Sequence, residues 1–261
     1  MENILTESIL NRFYFEQYKV QIVFKHDYEF GSYHGVILNG LLSEALNKAN
    51  LRRTLLVYPF ESGKVHYKEG VAYHFGITIL GKSEDIQDRI VEGIKKVAAM
   101  PLRNETINGA FKWVRMDKFQ NSAFGETFLD EINNEKITIY FVTPSKIAKK
   151  DNCPGDMWLT QNNFDPTRIF ELLYLRLAKD ILNMKIAFKD IPPVPACRLI
   201  KKDLRWVDVQ YSGKTKTFGG VVGNVQFKAE LDPFWKKLLW LGQYIHVGKF
   251  SAKSFGKYII Y

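Results

Sequence analysis

Histidine is the side chain whose ordinary pKa lies nearest neutrality, so it can take or give a proton near pH 7. This chain has five: His26, His34, His66, His74 and His246. His26 and His34 bound a polar, aromatic stretch containing Gly31 and Tyr33, and helical spacing begins at Gly35. His34 therefore opens a helix, whose start offers unpaired amides and a positive dipole end to an anion such as phosphate. The plain alternative is an exposed residue at a helix start. His66 stands between Lys64 and Lys68 in a loop, while His74 alternates within a strand and reads as a sheet-face residue. No histidine shares metal-ligand spacing with a thiol or carboxylate, so no metal and no other cofactor is expected. Gly219, Gly220 and Gly223 lack the strand-to-helix context of a nucleotide-binding fingerprint and read as kinks in a strand.

Charge that could meet a phosphate gathers in two places. One is a turn with Lys214 and Lys216. The other is the C-terminal stretch, where Gly248 and Gly256 bracket Lys249, Ser251, Lys253 and Ser254, with His246 before and Lys257 after. Glycines let backbone amides approach an anion, and lysines and hydroxyls add charge and donors. An ordinary helix-to-strand loop with solvated lysines would look the same locally. Arg52-Arg53 and Lys95-Lys96 read as solvated faces.

The elements that must position these groups follow from periodicity. Tyr18–Lys25 alternates as a strand; Ile37, Leu38, Leu41, Leu42, Ala45 and Leu46 have helical spacing; Leu55–Phe60 and Val71–Leu80 are strands. Ile86, Ile90, Ile94 and Val97 form the stripe of a helix stopped by Pro101, and Phe111–Phe119 is a strand. The order βαββαβ then restarts. Ile137–Val142 is a strand ended by Thr143-Pro144, and Asp165-Pro166 starts a helix with Ile169, Phe170, Leu173, Leu177 and Ile181 on one face. Ile191–Pro195 is a connector; Trp206–Tyr211 and Val221–Leu231 are paired strands. Asp232-Pro233 caps a helix through Trp240 whose pattern stops at Gly242, and Tyr258–Tyr261 is the last strand. The expected fold is α+β, with tandem ferredoxin-like domains at 1–130 and 131–261 and a C-terminal Gly-rich loop.

Composition narrows the partner. Lys and Arg number 37 against 28 Asp and Glu, a net charge of +9, which favours a polyanion. Aromatic residues at 14% tilt that towards RNA, whose unpaired bases stack on aromatic faces, although most of them must be core. Cys153 and Cys197 make neither a disulfide framework nor a metal motif, so a reducing cytoplasm is expected. The acidic start Met1-Glu-Asn-Ile-Leu-Thr-Glu does not read as a signal peptide, and no run is long and apolar enough to span a membrane, so no membrane partner is expected.

Several segments, in order, carry a resemblance. They are Gly40-Leu41-Leu42, Gly70–Gly81, Ile139–Pro144, the helix with Arg176, Tyr211-Ser212, Gly219–Gly223, Leu241–Lys249 and Phe255–Tyr258. This set resembles the RAMP superfamily of CRISPR-associated proteins, and within it the endoribonucleases that process CRISPR repeat transcripts. The family loop has two Gly-hydrophobic-Gly clusters. Here they read His246-Val247-Gly248 and Ser254-Phe255-Gly256, with the leading glycine of each replaced.

The resemblance implies metal-independent cleavage of repeat RNA by the ribose 2′-hydroxyl, leaving a 2′,3′-cyclic phosphate and a 5′-hydroxyl. It implies a catalytic histidine near the first helix, hence His34, with Tyr33 to position sugar or base and His26 as the second choice. It implies RNA contacts from the C-terminal loop, and as partners repeat RNA or crRNA, effector-complex subunits and a second copy of the chain. The alternative it leaves open is a catalytically silent RAMP-type RNA-binding subunit.

Overall fold

The computed structural model describes residues 5–11, 13–30, 33–46, 55–61, 65–81, 85–102, 106–122, 132–149, 157–211 and 216–261. Lys64, Lys214, Cys153, Arg52-Arg53 and the expected boundary at 130/131 lie outside the described residues.

The first sheet is built from β1 (Phe15–Phe24), β3 (Leu55–Pro59), β5 (Ala72–Leu80) and β6 (Phe111–Ser122), in the order β3-β5-β1-β6, all antiparallel. Helices α2 (His34–Ala45) and α3 (Ile86–Ala99) supply its two crossovers. β1 forms because Tyr18, Val20, Ile22 and Phe24 alternate with the less buried Lys19, Gln21 and Val23 and bury one face. On α3 the stripe Ile86, Ile90, Ile94 and Val97 is buried, each fully buried aliphatic side chain contributing about 1.5–3 kcal/mol. α2 and α3 approach closely at Gly93, where a side chain would strike the Ala45 carbonyl.

The second sheet repeats the plan with β7 (Ile137–Ser145), β8 (Cys197–Tyr211), β9 (Lys216–Ala229) and β10 (Tyr258–Ile260), in the order β10-β7-β9-β8. Its helices are α4 (Thr167–Leu175), which continues as a π-helical turn over Arg176–Ile181, and α5 (Pro233–Ile245). Each sheet has the strand order of a ferredoxin-like unit. Phe15, Leu56 and Leu80 of the first sheet pack into the core of the second unit, so the two units share apolar contacts.

Several expectations need correction. A short helix α1 (Glu7–Asn11), tied to α5 by Lys237 bonding Glu7 and Asn11, was not visible in the periodicity. Nor was the two-residue ribbon of β2 (Tyr28–Glu29) with β4 (His66–Tyr67), inside stretches read as loop. β7 does not end at Thr143-Pro144. The ladder with β9 is interrupted between Phe141 and Ser145, so the proline sits where no ladder amide is needed, and its carbonyl accepts from Gly256 N at 3.0 Å. β8 and β9 are much longer than expected, a long hairpin with β8 on the sheet edge. α5 runs past Gly242 to Ile245. Glycine is required inside it because Tyr258 Oη and Leu173 approach too closely for a side chain.

Candidate functional site

The α2 start and the C-terminal loop meet. Tyr33 caps α2 and its amide donates to the Gln210 carbonyl of β8 at 3.2 Å. Its ring lies edge-on to Phe255 at 5.5 Å, and burial pushes its phenol pKa above the usual value. Two residues on, any side chain at Gly35 would collide with the Lys253 carbonyl and Ser254. Ser254 in turn donates its hydroxyl to the Val57 carbonyl of β3. The loop is thus clamped between the units, in contact with the first turn of the helix that His34 opens.

His34 is 1% exposed, not the exposed helix-start residue of the plain alternative. Its ring stacks on Phe30 at 3.9 Å, and Nδ1 lies 3.0 Å from the Tyr73 hydroxyl. Burial raises the Tyr73 phenol pKa, so that hydroxyl keeps its proton at neutral pH. The imidazole is held on one face by an aromatic ring and at one nitrogen by a phenol.

The other histidines separate. His26 is exposed after β1. His66 is exposed on the β2–β4 ribbon, 3.7 Å from Glu29. His74 lies on the outer face of the first sheet opposite Gln21, its pKa lowered by burial, then by Lys19, with Arg115 adding to the shift. His246 ends α5 with φ 62° and is fully buried; burial first, then Lys257 and Arg176, hold it neutral.

The C-terminal loop has an inner and an outer side. His246, Ser251, Ser254 and Gly256 are buried and shape its path. Gly248 (φ 85°) sits where a side chain would strike the Lys146 carbonyl, and Gly256 (φ 78°) where one would strike Val247. Lys249 is exposed, Lys253 is half-buried over the rings of Phe218 and Phe250, and Lys216 begins β9. Lys257 turns inward: its ammonium bonds the Gln243 carbonyl at 2.8 Å and lies over Tyr58 and Tyr244, and burial lowers its pKa to about 8. Arg176, in the π-turn, donates to the Ile245 carbonyl at 3.3 Å and to Asp180 at 3.1 Å, bracing the end of α5.

Sequence reasoning missed Phe30 and Tyr73, which contact His34, Tyr58, which lies beside His246, and Lys146, which pairs with Lys249 across an isolated bridge. Only the tertiary fold shows what these side chains pack against.

The chain thus sets two ferredoxin-like units in tandem with a glycine-containing loop clamped between them. Residues 139–258 match the family model of the CRISPR-associated endoribonuclease Cas6. The fold agrees over 95% of the chain with a Cas6 product complex (TM-score 0.60, 16% identity, 100% of that chain) and with Thermus thermophilus Cas6 (TM-score 0.56, 14% identity, 99% of that chain). It also agrees with a chain of a partial Cas6-RT-Cas1–Cas2 complex (TM-score 0.70, 16% identity), of whose length this chain spans 46%. Among curated proteins none matches. The family match is confined to residues 139–258, and over the rest of the chain the likeness to the Cas6 structures is one of fold.

Proposed function

We propose that the chain is an endoribonuclease that cuts CRISPR repeat RNA into guide units without a metal ion, leaving a 2′,3′-cyclic phosphate and a 5′-hydroxyl. The observation that carries the reading is the docking of the α2 start, with Tyr33 and His34, against a loop bearing Lys249 and Lys253. In this scheme the ribose 2′-hydroxyl is a nucleophile already tethered beside its phosphate, which removes most of the entropic barrier. His34 handles a proton, Tyr33 positions sugar or base, and lysines balance charge on the phosphorane. His26 is the second choice for the proton. Residues 1–130 would supply the catalytic groups and 131–261 the strand-holding loop, with Lys214, Lys216 and Lys257 as further contacts.

The test is cleavage of repeat RNA in excess chelator, with and without a 2′-deoxyribose just upstream of the cut. Cleavage of the ribose substrate alone, yielding a cyclic phosphate, is the expected result. A reaction that needs added divalent ion, or cuts the deoxy substrate, overturns it. One observation favours a second reading, a catalytically silent RNA-binding subunit: Phe30 covers the His34 ring. Binding without cleavage of the ribose substrate would select it. Effector-complex subunits and a second copy are the protein partners proposed.

A further inference from the structure

Beside the clamped loop, on the second unit, lies a solvent-open hollow of about 260 Å³. The segment after β7, the π-turn and Gly248-Lys249 form its walls. Among the described residues, six basic side chains line it against one carboxylate, Asp180. Two of the six are internally committed: Arg168 pairs with the buried Glu171, and Arg176 bonds Asp180 and the Ile245 carbonyl. Lys146, Lys149, Lys179 and Lys249 remain as the charge the hollow presents, with Asp208 acting on Lys146 from nearby.

Lys146 and Lys249 are forced together. Lys249 N donates to the Lys146 carbonyl at 3.0 Å, and Gly248 has no side chain to hold the strands apart. Both ammonium groups lie over the indole of Trp158, at 4.4 and 4.6 Å from the ring centre. The ring's negative face tolerates two cations side by side but does not neutralise them. Burial and the charge of Lys249 accordingly both lower the Lys146 pKa. An anion between the two would relieve that repulsion in a partly apolar hollow, where each charge contact counts for more than in open water.

The hollow is also continuous with the loop. Tyr33 meets Phe255, Phe255 lies 5.9 Å from Phe250, and Lys146 reaches over both Phe250 and Trp158. The first two rings of this row are buried, so it links the α2 corner to the hollow through the protein's interior packing.

We infer that the hollow lined by Lys146, Lys149, Lys179 and Lys249 is a phosphate subsite for the RNA strand, one that grips the backbone at a distance from the cut. This rests on the reading of the chain as an RNA-processing protein. Its volume suits a phosphate with its sugar better than a larger ligand, since small-molecule sites start at about 300 Å³. Contacts of this kind give affinity and register without reading sequence.

The test compares the salt dependence of RNA binding in the intact chain and in Lys149→Ala/Lys179→Ala, two positions outside the clamped loop. Lys95→Ala/Lys96→Ala on α3 removes the same charge elsewhere. With repeat RNA and with a uridine homopolymer alike, the hollow variant should lose about 0.7 in log–log slope per phosphate contact, so about 1.4 for two, and the α3 variant much less. An unchanged slope, or an equal loss in both variants, overturns the subsite while leaving the cleavage assay of the intact chain to stand. If the hollow variant keeps its RNA slope but loses binding to poly-glutamate, the hollow belongs to an acidic peptide and the inference fails. If the intact chain neither binds nor cuts repeat RNA, the functional reading and the subsite fall together.

Discussion

Tyr73 holds His34: the phenol of β5 lies 3.0 Å from Nδ1 of the first residue of α2, across 39 positions of sequence. A histidine so fixed holds one orientation, and because it is covered, RNA must displace part of that cover before the imidazole can do general acid–base work. His34→Ala should lose about 10²–10⁴ in single-turnover cleavage rate. Binding of repeat RNA should change little, because a neutral imidazole adds little to backbone electrostatics. Normal cleavage by this variant, with the deoxy substrate still uncut, would move the proton transfer to His26.

Tyr73→Phe separates positioning from catalysis. The ring and its contacts with Phe30, Phe24 and Phe75 survive, and only the hydroxyl at Nδ1 is lost. Removing that bond should cost about 1 kcal/mol of stability. The expected kinetic result is a lower rate at saturating RNA and a displaced pH–rate profile with KM nearly constant. A profile that keeps its midpoint would make Tyr73 a packing residue only.

Gly35→Ala tests the clamp. The added methyl must displace the Lys253 carbonyl and Ser254, so the α2 start and the loop separate or strain. Overpacking of this kind costs about 1–3 kcal/mol. Chemical denaturation should show that loss, and cleavage should fall further than RNA binding, since Tyr33 and His34 shift relative to the loop lysines. Equal stability and full activity would mean that the two corners do not act together.

The sequence made the architecture legible where one face of an element repeats. Ile86, Ile90, Ile94 and Val97 needed only a helix and a core to face, and the alternation of β1 needed only a sheet. It failed where the deciding contact is distant. Gly242 reads as a stop on propensity, yet it lies mid-helix because Tyr258 crosses it. β8 was shortened because Arg198, Lys201, Lys202 and Asp203 on an exposed edge give no hydrophobic period. The candidate list was likewise blind to sides. His246, Ser251 and Ser254 sit among exposed-looking neighbours in sequence, but left-handed φ values at His246, Phe250 and Ser254 fold that stretch back so that these side chains face the protein. That His34 is covered could not be read either, since its cover comes from Phe30 and its partner from β5.

Lys257 supplies a prediction about pH. Its ammonium is confined between Tyr58, Tyr244 and the Gln243 carbonyl, and burial lowers its pKa from 10.5 to about 8. The unfolded chain holds this proton up to pH 10.5, while the folded chain releases it near 8. Between those values the unfolded state binds more protons, so stability rises with pH; below about 8 both states are charged and the burial penalty is complete. With Lys257→Met, which keeps an apolar stem and removes the charge, the chain should be more stable at pH 7, by on the order of 1–3 kcal/mol. The variant should also lose the part of the rise above pH 8 that the native chain shows. Urea unfolding at pH 7 and at pH 9.5 reads both effects, and a variant with the native slope would show that the Lys257 ammonium is solvated. Repeat RNA adds a further check on the same group. If a backbone phosphate reaches Lys257, bound RNA should stabilise its charged form, and the native chain's stability should then rise less between pH 8 and 10 with RNA present than without it.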